Sequence, residues 1–161
     1  TSPISSGSSI SNHAESIAIK NFINDILPTL DKISMERESK KINNRVSVLV
    51  ITPYLNQIEL LKTSLSNLIS ISYLDLEIMT VDSVQGREAD IAIYSCVRNN
   101  SHGNTGFITA NRINVALSRG KHLLVIVGDR EFWSNSNTKL AKISERLDIY
   151  NGLIKEGRNA S

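Results

Sequence analysis

Three short segments carry residue types suited to phosphate and nucleic-acid chemistry. In Thr80-Val-Asp-Ser-Val-Gln-Gly-Arg-Glu-Ala-Asp90, Gly86 allows a positive φ or a close backbone approach, and exposed amides in such a turn can cradle an anion. Gln85 adds a neutral donor and acceptor there, and Glu88 can accept a hydrogen bond from a ribose hydroxyl. In Arg112-Ile-Asn-Val-Ala-Leu-Ser-Arg-Gly-Lys121, Arg112 and Arg119 are seven residues apart, so a helix projects both from one face. Two planar guanidiniums in register make a fork for phosphate or carboxylate that lysines serve less well. The third segment, Ile51-Thr-Pro-Tyr54, brings a hydroxyl, a fixed turn and an aromatic ring to one strand end. An exposed Tyr54 would stack on a base for about 1–3 kcal/mol, and Thr52 would donate to a backbone phosphate.

Each segment also has an ordinary structural reading. Gln85-Gly-Arg-Glu88 can be a polar turn with Arg87 and Glu88 paired on the surface for little energy. The two arginines can be solvated side chains of an amphipathic helix whose C-cap is Gly120. Pro53 can begin the next helix with Tyr54 packed underneath. No G-x-x-x-x-G-K-[ST] loop occurs, and Gly120-Lys121 is not one, because Val115 stands where the first glycine is required. These residues therefore do not build a complete nucleotide site by themselves. His13, His102 and His122 are too scattered to suggest a metal site, and no nucleophile and base pair emerges.

Elements that position these segments follow from hydrophobic periodicity. The chain has 161 residues, 40% apolar and 21% charged, which suits one soluble globular domain. With 18 basic against 16 acidic side chains, any contact with a polyanion must be local. The lone Cys96 lies in an apolar run and reads as a small core residue. No run approaches the roughly 20 apolar residues of a membrane span, so an intracellular setting is expected, in the cytoplasm or in a eukaryotic nucleus. Residues 1–11 are Ser/Gly-rich and read as a flexible lead-in segment, followed by the main domain over 12–150 and a tail over 151–161. Asn12 with Glu15 makes a capping box, and the helix it opens is expected to kink or end near Leu27 ahead of Pro28, or to continue to about Ile33. Residues 34–45 read as a solvated loop.

Val46–Thr52 is short and β-branched, the pattern of a parallel strand buried on both faces. A helix is expected through Leu55, Ile58, Leu61, Leu65 and Leu68, then strands at Leu76–Val81 and Asp90–Val97. A helix follows over Ala110–Arg119, a strand over His122–Gly128, and a last amphipathic helix through Leu140, Ile143 and Leu147, anchored by Trp133. The alternation predicts an α/β fold with an open, mainly parallel sheet and helices on both faces. The polar clusters at Thr52–Gln57, Asp82–Glu88 and Asn111–Arg119 are expected beyond the carboxyl ends of its strands or in the helix that follows, where such sheets bind ligands.

These ordered blocks resemble motifs IV, V and VI in the second, C-terminal RecA-like lobe of superfamily 1B helicases, in the branch of the nonsense-mediated-decay helicase and its senataxin-type relatives. The likeness runs from about Ser5 to Asp129 and includes Ser9-Ile-Ser-Asn-His-Ala-Glu15, Gln57, Cys96-Val-Arg-Asn-Asn100 and Gly106-Phe107. It implies a P-loop NTPase type of fold lacking its own P-loop, and an ATP-dependent helicase in the full-length protein. By that likeness Arg119 is an arginine finger, Gln85 couples the two sites, and Gly86, Arg87, Glu88 and Arg112 line the nucleotide cleft. Thr52, Pro53, Tyr54, Gln57, Asp82 and Ser83 would touch single-stranded RNA or DNA. ATP and Mg2+ would be held mainly by an N-terminal RecA-like lobe of the same protein, which is the implied partner. Gly120 replaces the alanine usual after the finger, and Val84 a frequent phenylalanine. The chain begins at Thr1 rather than Met and lacks the arginine-containing segment that opens such lobes, so it is expected to be an excised piece, inactive alone. The alternative is an inert nucleotide- or anion-binding Rossmann-like module or an interaction scaffold.

Overall fold

The computed structural model describes residues 4–6, 9–97, 115–116 and 118–128. In chain order the elements are β1 (Ile4–Ser6), β2 (Ser9–Ser11), α1 (His13–Ser39), β3 (Val46–Thr52), α2 (Leu55–Ser64), α3 (Ser66–Ile69), β4 (Leu74–Thr80), β5 (Ala89–Ser95) and β6 (Gly120–Val127). β1 and β2 pair antiparallel, with Ile4 opposite Ser11, in the stretch read from sequence as a lead-in segment. The other four strands form a parallel sheet in the order β4-β3-β5-β6. This is the parallel α/β sheet that the alternation predicts, in the RecA-like form that the resemblance implies. The helix expected through Leu140, Ile143, Leu147 and Trp133, and the first part of that over Ala110–Arg119, lie outside the described residues, as does Arg112.

Strand alternation divides the core into two layers. Val46, Val48, Val50, Leu74, Leu76, Ile91 and Ile93 point to the face covered by α1, α2 and α3 through Ile19, Ile23, Leu30, Leu61, Leu65 and Leu68. Leu49, Ile51, Ala92 and Tyr94 point to the other face, where Val81, Val84, Tyr54 and helical Ala116 cover them. β3 and β5 thus have apolar partners on both sides, which explains their nearly unbroken apolar sequence. Among the described residues no helix is long and apolar enough to cross a membrane.

The first helix overturns two expectations. It runs 27 residues without stopping at Pro28, and its last turns occupy Ser34 to Ser39, part of the stretch read as a loop. Proline deprives the Asn24 carbonyl of its helical donor, but Asn24 and Pro28 are both exposed, so solvent can supply one. Long-range contacts then favour continuation. In the last turn Arg37 donates from Nη1 to Asp90 Oδ2 at 3.0 Å and from Nη2 to Oδ1 at 2.9 Å, a bidentate pair with the start of β5. Ser47 adds its backbone N–H at 2.9 Å and its hydroxyl at 3.0 Å to the same carboxylate. The helix ends beyond this clamp, where Lys41 takes φ 56° and Ile42 N–H donates back to Arg37 O at 3.1 Å. That is a Schellman-type ending with lysine in place of the usual glycine.

The clamp makes stability depend on acid. Burial alone would raise the Asp90 carboxyl, but the hydrogen bonds from Arg37 and Ser47 outweigh it and hold the pKa lowered from 3.8 to about 2. Its proton is bound less readily in the folded chain than in the unfolded one, so the stabilisation is whole above about pH 4 and disappears as pH falls to about 2. After solvent screening it is worth on the order of 1 kcal/mol. Urea unfolding should show Asp90→Asn less stable than the parent at pH 6, with the gap narrowing as pH falls towards 2.5; a gap independent of pH would refute the assignment.

Candidate nucleotide and nucleic-acid site

Residues 81–88 join two parallel neighbours of β3 without a helix. Thr80 is level with Thr52 at the carboxyl end of β3, whereas Ala89 pairs with Gly120 at the amino end of β6. The segment therefore descends the sheet by the length of β5, roughly 20 Å. Val81 N–H donates to Thr52 O at 3.1 Å at the start, and buried Val81 and Val84 hold the segment on the apolar face. This corrects the expectation that all polar clusters gather at carboxyl ends. Asp82 and Ser83 do lie at such an end, but the stretch from Gly86 to Glu88 and Arg119 immediately precede the amino ends of β5 and β6.

Gly86 takes φ 78°, and Arg87 N–H donates to Val84 O at 2.9 Å, the pattern of a type II turn with glycine third. A Cβ on Gly86 would meet nothing within 4 Å, so the backbone here faces open space. Arg87 pairs with Glu77 of β4, and Glu88 lies 3.9 Å from Lys121, with the Glu88 and Lys121 side chains 58% and 54% exposed. The surface pair between Arg87 and Glu88 is replaced by these two separate pairs. The loose Glu88–Lys121 contact leaves the carboxylate accessible. Gln85 is exposed beside them.

Arg119 arrives next to this turn. Its backbone carbonyl accepts from Ala89 N–H at 3.0 Å, and its Nη1 donates to the Arg87 carbonyl at 3.3 Å. The structure thus brings Gly86, Arg87, Glu88 and Arg119 together, although they come from two segments about 30 residues apart. Gly120 is not the left-handed C-cap expected. It is the first residue of β6, and a Cβ there would lie 2.5 Å from the Leu123 carbonyl oxygen and 3.2 Å from Ala92 Cβ. Glycine is required for close approach.

At the carboxyl end of β3 the structure favours the packed reading of Tyr54 over the stacking one. Tyr54 is 2% exposed, with its ring in the core beside Ile51, Val81 and Val84, so no face is presented for base stacking. Pro53 is buried, and Gln57 has 0% exposure. Gln57 is committed elsewhere: its Oε1 accepts from Asn12 N–H at 2.8 Å, and its Nε2 donates to Asn12 O at 3.2 Å and Ser95 Oγ at 3.2 Å. A polar side chain five residues past a strand end looks exposed in sequence, but the chain's own N-terminal segment covers it. Thr52 is also fully buried, and its Oγ1 has no hydrogen-bond partner among the described residues.

Glu15 completes this buried hub. Asn12 does cap α1, accepting from Glu15 N–H at 3.2 Å, but the Glu15 carboxylate does not return to Asn12 as a capping box requires. Instead it accepts the Ser95 hydroxyl at 2.6 Å and the Val97 N–H at 2.9 Å. Val97 has φ 69°, a strained conformation for a β-branched residue, which the Glu15 contact holds in place. Next to it the Cys96 thiol is pushed well above its ordinary range, first by burial and then by the charge of Glu15, so it is inert as a nucleophile.

The AAA domain family model matches residues 2–131. A regulator of nonsense transcripts 1 homolog of Neurospora crassa is 42% identical over 84 residues, covering 50% of this chain and 8% of that protein. The DNA polymerase alpha-associated DNA helicase A of Saccharomyces cerevisiae is 39% identical over 97 residues, 60% of this chain and 14% of its own length. The DNA-binding protein SMUBP-2 of Rattus norvegicus is 39% identical over 89 residues, 55% of this chain and 9% of that protein. The matched stretch is thus a small fraction of each of these relatives.

Removing the hub acceptor should be costly. Glu15→Ala leaves the Ser95 hydroxyl and the Val97 N–H buried without that carboxylate, a loss of about 3 kcal/mol. Chemical denaturation of the parent and variant should show this difference; equal midpoints would mean the network contributes no net stability.

Proposed function

The chain belongs to the AAA domain family, among the superfamily 1B helicases, and from that premise we propose that it is the C-terminal motor lobe of an ATP-dependent nucleic-acid helicase or translocase. The observation that carries the reading is the 3.3 Å contact between Arg119 Nη1 and the Arg87 carbonyl, which sets a half-buried guanidinium beside the open backbone of Gly86. An arginine next to a positive-φ glycine turn suits one wall of a phosphate pocket. The other wall belongs to an N-terminal RecA-like lobe of the full-length protein, where the phosphates and Mg2+ would be held.

ATP supplies a transferable γ-phosphoryl group whose charge is spread over its oxygens in the transition state. Toward that group this chain contributes Arg119, which offsets the developing negative charge when the two lobes close. Arg112 would assist from the same segment. Gly86 and Arg87 offer backbone at the cleft, and Glu88 accepts from the ribose hydroxyl. Gln85, exposed on the segment that links the two ends of the sheet, is suited to relay the state of one site to the other.

Single-stranded RNA or DNA would be met at the opposite, carboxyl end. Ser83 and Asp82 are exposed there and available to the strand, whereas the Thr52 hydroxyl is fully buried beneath the surface they form. Tyr54 and Gln57 instead hold the platform on which these groups stand. Binding at one end and hydrolysis at the other are coupled only if closure changes affinity for ATP, and engagement of Arg119 supplies that difference. This reading places the protein inside the cell, in the cytoplasm or the nucleus, and makes the isolated lobe inactive.

In the full-length protein, Arg119→Ala should lower nucleic-acid-stimulated ATP hydrolysis by about 10³-fold or more while single-strand affinity changes by less than about threefold. Steady-state hydrolysis with RNA and DNA compared as stimulants, alongside fluorescence anisotropy for binding, measures both. Near-normal turnover by the variant would overturn the reading.

A further inference from the structure

We propose that Ser118 is a positioning residue that aims the Arg119 guanidinium, an inference that rests on Arg119 being the phosphoryl-facing arginine. The argument is an accounting of donors. An arginine side chain carries five N–H groups. The Nε–H is shared between Val115 O at 3.1 Å and Ser118 Oγ at 3.2 Å. One Nη2–H goes to Ser118 Oγ at 2.8 Å, and one Nη1–H to Arg87 O at 3.3 Å. Each terminal nitrogen keeps one N–H without a partner among the described residues, a pair able to address a phosphate together.

Ser118 is itself held. Its hydroxyl donates to Val115 O at 3.0 Å, which fixes the rotor and leaves the oxygen lone pairs for Arg119. On the opposite side the Arg87 carbonyl is presented by the Gly86 turn, so acceptors on two segments grip the guanidinium from both flanks. All three are neutral oxygens, and no salt bridge to Arg119 occurs among the described residues. The grip therefore orients the side chain without neutralising its charge. A long flexible arginine that must find its geometry during each closure would spend binding energy on ordering; one already oriented does not. Ser118 touches no reacting atom in this scheme and acts only through Arg119.

The alternative is that the Ser118 hydroxyl merely caps the short helical turn through its bond to Val115 O. That role would change stability rather than turnover. The test uses the full-length protein with Ser118→Ala, Ser118→Thr and Arg119→Ala, measuring kcat and KM for stimulated ATP hydrolysis, single-strand affinity and thermal unfolding. Ser118→Ala should lose about tenfold in kcat. Its KM, single-strand affinity and melting temperature should stay close to the parent values, and Ser118→Thr, which keeps the hydroxyl, should restore most of the turnover. If Ser118→Ala keeps parental kcat while Arg119→Ala is inactive, the positioning role is overturned and the finger assignment stands. A Ser118→Ala variant whose lost turnover accompanies a lowered melting temperature and is not restored by threonine would assign the hydroxyl to the cap and overturn the proposal as well. Turnover retained by Arg119→Ala would instead remove the premise.

Discussion

A carboxylate placed where water does not reach must be satisfied by the protein, and Glu15 imposes that requirement at the carboxyl end of the sheet. At 5% exposure it draws in the Ser95 hydroxyl and the Val97 N–H, while Asn12 and Gln57 close the ring through paired backbone and amide hydrogen bonds. Three elements meet there: the first turn of α1, the start of α2 and the end of β5. Leaving any of these groups unpaired in a low-dielectric interior would cost more than each bond contributes on its own. This asymmetry gives the arrangement its specificity, and it accounts for tolerance of a positive φ at Val97.

The other end of α1 is tied by a second polar cluster. Arg37 grips Asp90 at the start of β5, and Ser47 joins β3 to the same carboxylate. One long helix is thereby fastened to both ends of the sheet, with Ile19, Ile23 and Leu30 packed between the two polar anchors. The layer behind the candidate site is stiff for this reason. On the opposite face the crossing over residues 81–88 is held by buried Val81 and Val84, the Gly86 turn and the two ion pairs of Arg87 and Glu88.

Between the ends of that crossing lies the separation on which the proposed mechanism depends. Asp82 and Ser83 stand near the carboxyl end of β3, and Gly86 and Arg119 near the amino end of β5. In the proposed mechanism the groups at the two ends of this continuous segment would influence each other without a wire of side chains through the core. Gly120 is part of the same economy, because its missing side chain lets β6 begin close against Ala92 and sets the level at which Arg119 enters.

Period and composition determined the sheet. Val46–Thr52 is a strand as read, and the later strands differ from their expected limits by one or two residues, because short β-branched apolar runs between helical stretches suit the strands of a parallel sheet. The turn at Gly86 was legible too, because glycine between two strands marks a positive φ or a close backbone approach, whereas its neighbour Arg119 comes from a separate segment. Tertiary structure decided the rest. Pro28 is a local stop signal, and contacts with Asp90, 53 residues beyond Arg37 in the chain, outweighed it. Tyr54 was open between a stacking ring and a packed one, and Gln57 looked like a surface group, because sequence shows what precedes and follows a residue but not what lies above it. Glu15 was legible as a cap residue, yet its partners, Ser95 and Val97, are 80 and 82 residues away. Local spacing encodes which backbone shape is cheap; only packing decides which polar groups are buried, and a buried group takes whatever partner the fold brings within reach.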